Sequence, residues 1–258
     1  MTTINVIGDI HGRTNWKEVV KEDHINVFVG DYFDPYSKVS EDDLVGNFLD
    51  IVDYKTKYPE TVLLYGNHDF HYIVPEYGGT TSRYNHSASK RFKELFSEFE
   101  DLFHGVAYAP DSKHIITHAG VTRDWLDSYR HLSDFHTKES DSVPSVEELE
   151  KFINGLWWNS KGVDGLPPKS EFSFDRNCAT WDFYGDTPTQ SPIWIRPLSL
   201  FEHNLYKDSD VIQIVGHTQV ENIVQIPRSG ISGEGDKSVG IVVVDCLGYK
   251  TDSYSFDI

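Results

Sequence analysis

Five short runs rich in Val and Ile, at 4–7, 27–29, 62–65, 115–117 and 211–215, each lead into a polar cluster, and this repeated grammar leaves few folds open. In chain order the clusters are Gly8-Asp9-Ile10-His11-Gly12, Gly30-Asp31-Tyr32-Phe33-Asp34, Gly66-Asn67-His68-Asp69, Thr117-His118-Ala119-Gly120 and Gly216-His217-Thr218. Apolar runs without alternation read as strands buried on both faces. Between the early ones lie stretches with helical apolar spacing, 42–58 (Leu44, Phe48, Leu49, Ile51, Val52) and 88–102 (Phe92, Leu95, Phe96, Phe99). Strand and helix alternate, which predicts βαβ units and an α/β class. Strands of one parallel sheet deliver their C-terminal ends to one edge, where open α/β folds bind ligands. All five polar tips are then expected at one cleft, with the glycines letting the chain turn sharply so that an Asp or His side chain faces the space above the sheet.

From 220 onward the pattern becomes strand-like, at 220–226, 240–244 and 252–256, with a Gly/Ser-rich loop at 228–238. These runs predict a second, more antiparallel sheet. The stretch 122–193 is the least regular, with one expected helix at 146–156 followed by a Gly/Pro-rich, aromatic segment. Neither an internal repeat nor a linker breaks the pattern, so residues 1–258 are read as a single domain with an irregular aromatic-rich insertion at about 122–193. Trp125, Trp157, Trp158, Trp181 and Trp194 fall in or beside that insertion, where core packing is the expected role and base stacking the alternative.

Lys plus Arg number 23 against 41 for Asp plus Glu, a formal net charge of −18. Such a chain repels polyanions, so nucleic acid is disfavoured as a partner, as is an anionic membrane surface. Cys178 and Cys246 are the only cysteines and stand outside any CxxC spacing, which suggests neither a disulfide framework nor a zinc ribbon. With no basic leader and no membrane-length apolar stretch, a cytoplasmic location is expected.

The strand tips offer carboxylate, imidazole and carboxamide but no thiolate, a donor set suited to divalent manganese, iron or zinc. Asp9 and His11 stand two residues apart on an emerging strand end, so a slight bend brings both to one ion. A carboxylate such as Asp31 can bridge two ions, and two-metal hydrolytic sites hold them about 3.5–4 Å apart. Two such ions would carry +4 against the charges of Asp9 and Asp31, so the site attracts phosphate although the whole chain is acidic.

The ordered set GDIHG, GDYFD, GNHD, THAG and GHT resembles the calcineurin-like metallophosphoesterases, in the branch that contains serine/threonine protein phosphatases and diadenosine tetraphosphatases. The resemblance spans Asp9 to His217 and implies a four-layer sandwich of two mixed β-sheets flanked by helices. It implies that Asp9, His11 and Asp31 hold a first metal ion, and that Asp31 bridges to a second held by Asn67, His118 and His217. His68 would be a general acid oriented by Asp34. The implied cofactors are two divalent ions, manganese first and iron or zinc as alternatives. The implied activity is hydrolysis of phosphate monoesters by in-line attack of a metal-bridging hydroxide, on a phosphoprotein or a small phosphorylated metabolite. A dinucleoside polyphosphate or nucleotide pyrophosphohydrolase is one alternative, and a catalytically silent binding module another.

The resemblance has gaps. Protein phosphatases of this family carry Arg directly after the second motif and directly before the third, where this chain has Pro35 and Tyr65, and Glu in place of Asp69. Arg196, in Trp194-Ile195-Arg196-Pro197, matches an arginine that bacterial relatives place there, and its planar fork suits two phosphate oxygens. Arg13 and Arg83 are weaker clamp candidates, for which a structural or solvated role is the expected one. His71 is placed at the edge of the cleft. The nuclease branch ends in Gly-His-x-His, and Gln219 at the last position argues against it.

Overall fold

A computed structural model describes residues 1–74, 83–129, 142–160, 174, 187–229 and 238–258. In chain order its elements are β1 (Thr3–Ile7), α1 (Trp16–Val19), β2 (Ile25–Phe28), α2 (Glu41–Lys57), β3 (Val62–Leu63), α3 (Asn67–Ile73) and α4 (Ser89–Glu98). They continue with β4 (Ala107–Asp111), β5 (His114–Thr117), α5 (Arg123–Tyr129), α6 (Val146–Ser160), α7 (Pro197–Glu202), β6 (Ile212–Val215), β7 (Val224–Pro227), β8 (Val239–Val243) and β9 (Tyr254–Asp257).

The strands form two mixed sheets, ordered β3-β2-β1-β9 and β4-β5-β6-β8-β7. In the first, β1, β2 and β3 run parallel and β9 is antiparallel to β1, with Ile4 opposite Phe256. In the second, β5, β6 and β8 run parallel while β4 and β7 close the edges antiparallel. Ile4, Val6, Val27, Val29, Val62 and Leu64 from the first sheet meet Ile116, Ile214, Val242 and Val244 from the second in one core. On the outer face of the first sheet, Ile7, Phe28 and Leu63 pack under α2 and α4, where Phe33 stacks on Phe92 at 3.9 Å and on Phe48 at 5.1 Å. The outer face of the second sheet takes Leu200 of α7 against Val215, Ile241 and Val243. Residues buried on both faces explain why these strands read as unbroken apolar runs. Helix α2 starts where Ser40 Oγ accepts the Asp43 N–H at 3.1 Å, carries Glu41, Asp42 and Asp43 in its first turn and has Lys55 and Lys57 in its last. Both ends thus complement the helix dipole.

The two-sheet α/β sandwich is as expected, but the strands are shared out differently. The five polar tips do not lie on one sheet: three follow strands of the first sheet, and two follow β5 and β6 of the second. The C-terminal strands do not make a sheet of their own, because β9 completes the first sheet and β8 lies parallel beside β6. Edge strand β4 and the short helices α3, α5 and α7 were not anticipated. The Ala-Tyr-Ala-Pro-Asp sequence of β4 lacks β-branched residues, and helices of six or seven residues give too short a period to detect. The helix expected at 146–156 is α6, whereas most of the 122–193 insertion beyond α5 and α6, including Trp181 and Cys178, lies outside the described residues. So does most of the 228–238 loop. Trp125 and Trp157 are buried, as the packing reading expects. Among the described residues no helix is long and apolar enough to cross a membrane.

Candidate metal centre

The parallel strands of both sheets end at one rim, and all six residues expected as ligands are buried there. Close approach of the backbone makes this possible. A Cβ on Gly30, which has φ 108°, would lie 2.3 Å from Gly66 N, and one on Gly66 would lie 2.2 Å from Asp31 Oδ1 and 2.8 Å from His118 Cε1. Alanine at Gly66 would therefore collide with the very carboxylate the loop positions. His11, Asp31, Asp34 and His217 all have φ between 45° and 62°, a conformation side-chain-bearing residues seldom adopt. Backbone strain of this kind gathers at functional sites when the surrounding structure holds it in place.

Asp69 supplies part of that hold. Its Oδ2 accepts the N–H groups of Asp31 at 2.7 Å and Gly66 at 2.8 Å, and its Oδ1 accepts that of Tyr32 at 3.0 Å. The second and third motifs are clipped together by one carboxylate. No role was foreseen for Asp69, although its place three residues after the helix-capping Gly66 is a capping-box position visible in the sequence.

Ring nitrogens are aimed in the same way. Nδ1 of His11 lies 3.0 Å from the carbonyls of both Phe33 and Asp34, and Nδ1 of His118 lies 2.8 Å from the carbonyl of Val29. A carbonyl only accepts, so both Nδ1 atoms carry the proton and both Nε2 atoms keep a free lone pair, as second partners of metal-bound imidazoles do. Those Nε2 atoms face Asp31 Oδ2 at 3.4 Å from His11 and 3.5 Å from His118. Asp9 stands between them, with Oδ2 3.8 Å from His11 Nε2 and Oδ1 3.9 Å from His118 Nδ1. Asn67 Oδ1 lies 2.9 Å from both His118 Nε2 and His217 Nδ1. Two clusters thus have donor atoms within 4.8 Å of one another, His11–Asp31–His68 and Asp9–Asp31–His118, and Asp31 belongs to both.

These donors suit cations. Nδ1 of His217 and Nε2 of His118 converge on Asn67 Oδ1, each 2.9 Å from it, so three metal-type donor atoms are gathered at one point. Burial first, then the charges of His68, Arg13 and Arg83, hold His11 well below the usual histidine range. Burial pushes His118 down to about 3, and burial with Arg196 lowers His217 strongly. All three imidazoles are neutral, the form that binds metal. Burial raises Asp9 and Asp31 well above the usual carboxylate range, with Asp245 acting further on Asp9 and with Asp9 and Asp69 acting on Asp31. Crowded buried carboxylates are what a cation relieves.

His68 joins this site through Asp34, whose Oδ2 lies 2.7 Å from His68 Nδ1, while Tyr72 donates its hydroxyl to Asp34 Oδ1. His68 N–H also donates to Asp31 Oδ1 at 2.9 Å. Arg196 caps α7 and donates from Nη1 to the His217 carbonyl and to Thr218 Oγ1, both at 3.1 Å. His71 is buried, with its ring 5.7 Å from Trp194, whose ring in turn lies 5.9 Å from that of His217.

Asp245 was missed altogether. It follows β8 as Asp9 follows β1, packs its Cα where a Cβ on Gly8 would come within 2.8 Å, and sets its carboxyl against that of Asp9. Burial pushes its carboxyl up to about 6 against the opposing pull of Arg13. The run Val242-Val243-Val244-Asp245 has the same form as the other tips, but the expectation of a second, more antiparallel sheet for the C-terminal runs left it out of the set of rim residues.

The raised carboxyls fix the sign of a pH effect in metal-free protein. A carboxyl with a folded value above its unfolded value keeps its proton in the folded state after the unfolded chain has lost it. The stability these carboxyls contribute therefore falls as pH rises from about 4, the unfolded value, through the values near 6 and 7 of Asp245 and Asp69, while the lowered imidazoles of His11, His118 and His217 act the other way only below about 6.5, the unfolded histidine value. Chelated protein is expected to melt lower at about pH 8 than at about pH 6.5, where the imidazoles no longer contribute, and manganese to raise the melting temperature more at the higher pH, because ligation needs ionised carboxylates. Thermal melts with and without chelator at both pH values check this; a metal effect that shrinks as pH rises would contradict it.

A solved structure described as a protein serine/threonine phosphatase from Saccharomyces cerevisiae with similarity to human phosphatase PP5 aligns at 20% identity and a TM-score of 0.33. The alignment covers 47% of this chain and 39% of that one. No curated protein matches this chain significantly. The profile of the calcineurin-like phosphoesterases matches residues 2–221, a span that holds every expected rim ligand from Asp9 to His217. The chain belongs to the calcineurin-like phosphoesterase family.

Proposed function

We propose that the protein is a phosphomonoesterase working with a pair of divalent cations, manganese by preference. The observation that carries this reading is the sharing of Asp31 between two donor clusters. Asp9, His11 and Asp31 would hold one ion, and Asp31, Asn67, His118 and His217 the other. When bound, such a pair lowers the pKa of water into the neutral range and neutralises phosphoryl oxygens. The chain supplies the rest. Asp34 fixes Nδ1 of His68, leaving Nε2 to give a proton to the departing alkoxide oxygen, a step for which imidazole is suited near neutrality. Tyr72 holds Asp34 from the other side. Arg196 stands on the His217 side, where its charge acts on His217, His118 and Asp245, and it is assigned to the phosphoryl oxygens there.

A monoester is favoured over a dinucleoside polyphosphate because Trp125 and Trp157 are buried in the core and unavailable to a base. The substrate would be a phosphoprotein or a small phosphorylated metabolite, in the cytoplasm. A panel of phosphopeptides, sugar phosphates and dinucleoside polyphosphates with manganese tests this. Turnover of monoesters is expected, and turnover confined to the dinucleotides would overturn it. Arg196→Ala is expected to raise KM by about tenfold for monoesters, with a smaller rise for diesters, since a guanidinium fork grips a dianion best. Equal effects on both would remove Arg196 from the phosphate site.

A further inference from the structure

Tyr36 forms a half-open wall beside the first cation position. It is 50% exposed, and its ring meets that of His11 edge-on at 4.8 Å. Two guanidinium groups lie over this ring, with Arg13 Cζ 5.2 Å and Arg83 Cζ 3.8 Å from its centroid.

The two arginines differ in what holds them. Arg13 donates from Nη1 to the Asp9 carbonyl at 3.0 Å, and its Nη2 is so close to Gly248 that a Cβ there would sit 2.9 Å away. It is part of the scaffold. Arg83 is exposed and, among the described residues, makes no hydrogen bond or ion pair beyond its contact with Tyr36. That is unusual in a chain with 41 acidic residues against 23 basic ones. Its φ is 68°, and the other described non-glycine residues with positive φ are His11, Asp31, Asp34 and His217, all at the cation rim. Its charge also reaches His11. The backbone thus adopts an uncommon conformation where a guanidinium without a hydrogen-bond or ion-pair partner among the described residues lies over an aromatic ring beside the rim. A guanidinium held over a tyrosine ring through its carbon keeps N–H groups free to bind an oxyanion.

We propose that Arg83, carried on the Tyr36 ring, is a second phosphate clamp, gripping non-bridging oxygens of a monoester dianion from the His11 side. It would replace the arginines that Pro35 and Tyr65 leave missing, and Arg196 would face it from the His217 side. This assignment rests on the phosphomonoesterase reading and deepens it.

The test is calorimetric titration of inorganic phosphate into the manganese-loaded full-length protein, for wild type, Arg83→Ala, Arg83→Lys and Tyr36→Leu. Arg83→Ala is expected to weaken phosphate binding by about tenfold and to raise KM for a monoester by a similar factor, with metal content and melting temperature as in wild type. Arg83→Lys should fall between, because it keeps the charge and loses the fork, and Tyr36→Leu should weaken binding by removing the platform. Phosphate affinity and KM within about twofold of wild type in Arg83→Ala would overturn the clamp, as would a wild-type protein that binds no phosphate. If wild type binds phosphate but turns over no monoester, the phosphomonoesterase reading fails, and the titration of Arg83→Ala still decides whether this residue grips phosphate.

Discussion

Asp31→Asn is expected to lower kcat/KM by about 10³-fold or more, a loss of at least about 4 kcal/mol of transition-state stabilisation. Asp31 Oδ2 faces Nε2 of His11 at 3.4 Å and of His118 at 3.5 Å, while Oδ1 accepts the His68 N–H at 2.9 Å. An amide keeps the shape but is neutral, and its NH2 group turns a donor toward one of these partners, so it cannot serve two cations. Metal affinity should fall with activity. Metal-free Asp31→Asn should in contrast melt at or above the metal-free wild type, because the substitution removes one of the crowded buried carboxyls that Asp9 and Asp69 push upward. Activity and chelated melting temperature thus move in opposite directions, a pattern that simple misfolding would not produce. Near-normal turnover by the variant would contradict a bridging role.

His68→Ala is expected to reduce kcat by roughly 10²–10⁴-fold with metal content unchanged. The deficit should be largest for alkyl phosphates, whose leaving oxygen needs a proton, and small for an aryl phosphate with an acidic leaving group. Asp34→Asn should act in the same direction and more weakly, since it loosens the 2.7 Å contact that orients the ring without removing the ring. His68 also stands in a donor cluster with His11 and Asp31. If His68→Ala instead loses one equivalent of metal and shows no leaving-group dependence, the residue is a ligand and the acid must be sought elsewhere.

Much of this was legible in the sequence because the site is made of strand ends. A strand buried on both faces announces itself as a Val/Ile run, and the first polar residue beyond it has little choice but to stand at the rim. Asp9, His11, Asp31, Asn67, His118 and His217 could all be read in that way, and all are buried together. What stayed hidden depended on pairing between distant segments. Whether β8 runs parallel or antiparallel to its neighbour is decided by β6 lying beside it, with Val215 opposite Val243, and this alone delivers Asp245 to the rim. The partition of tips between two sheets was lost for the same reason. Arg83 could be read only as a weaker clamp candidate, and Tyr36 carried no signal, because neither lies on a periodic element. Their association is a contact across 47 positions held by a loop conformation, which composition and spacing do not encode. Asp69 was within reach through its capping position, but its service to the backbone of the second motif needed coordinates.

The most direct measurement is the anomalous scattering of manganese in crystals of the protein. Two peaks about 3.5–4 Å apart, both within bonding distance of Asp31, are expected. A single peak, or two peaks that do not share Asp31, would contradict a paired-cation centre at this rim.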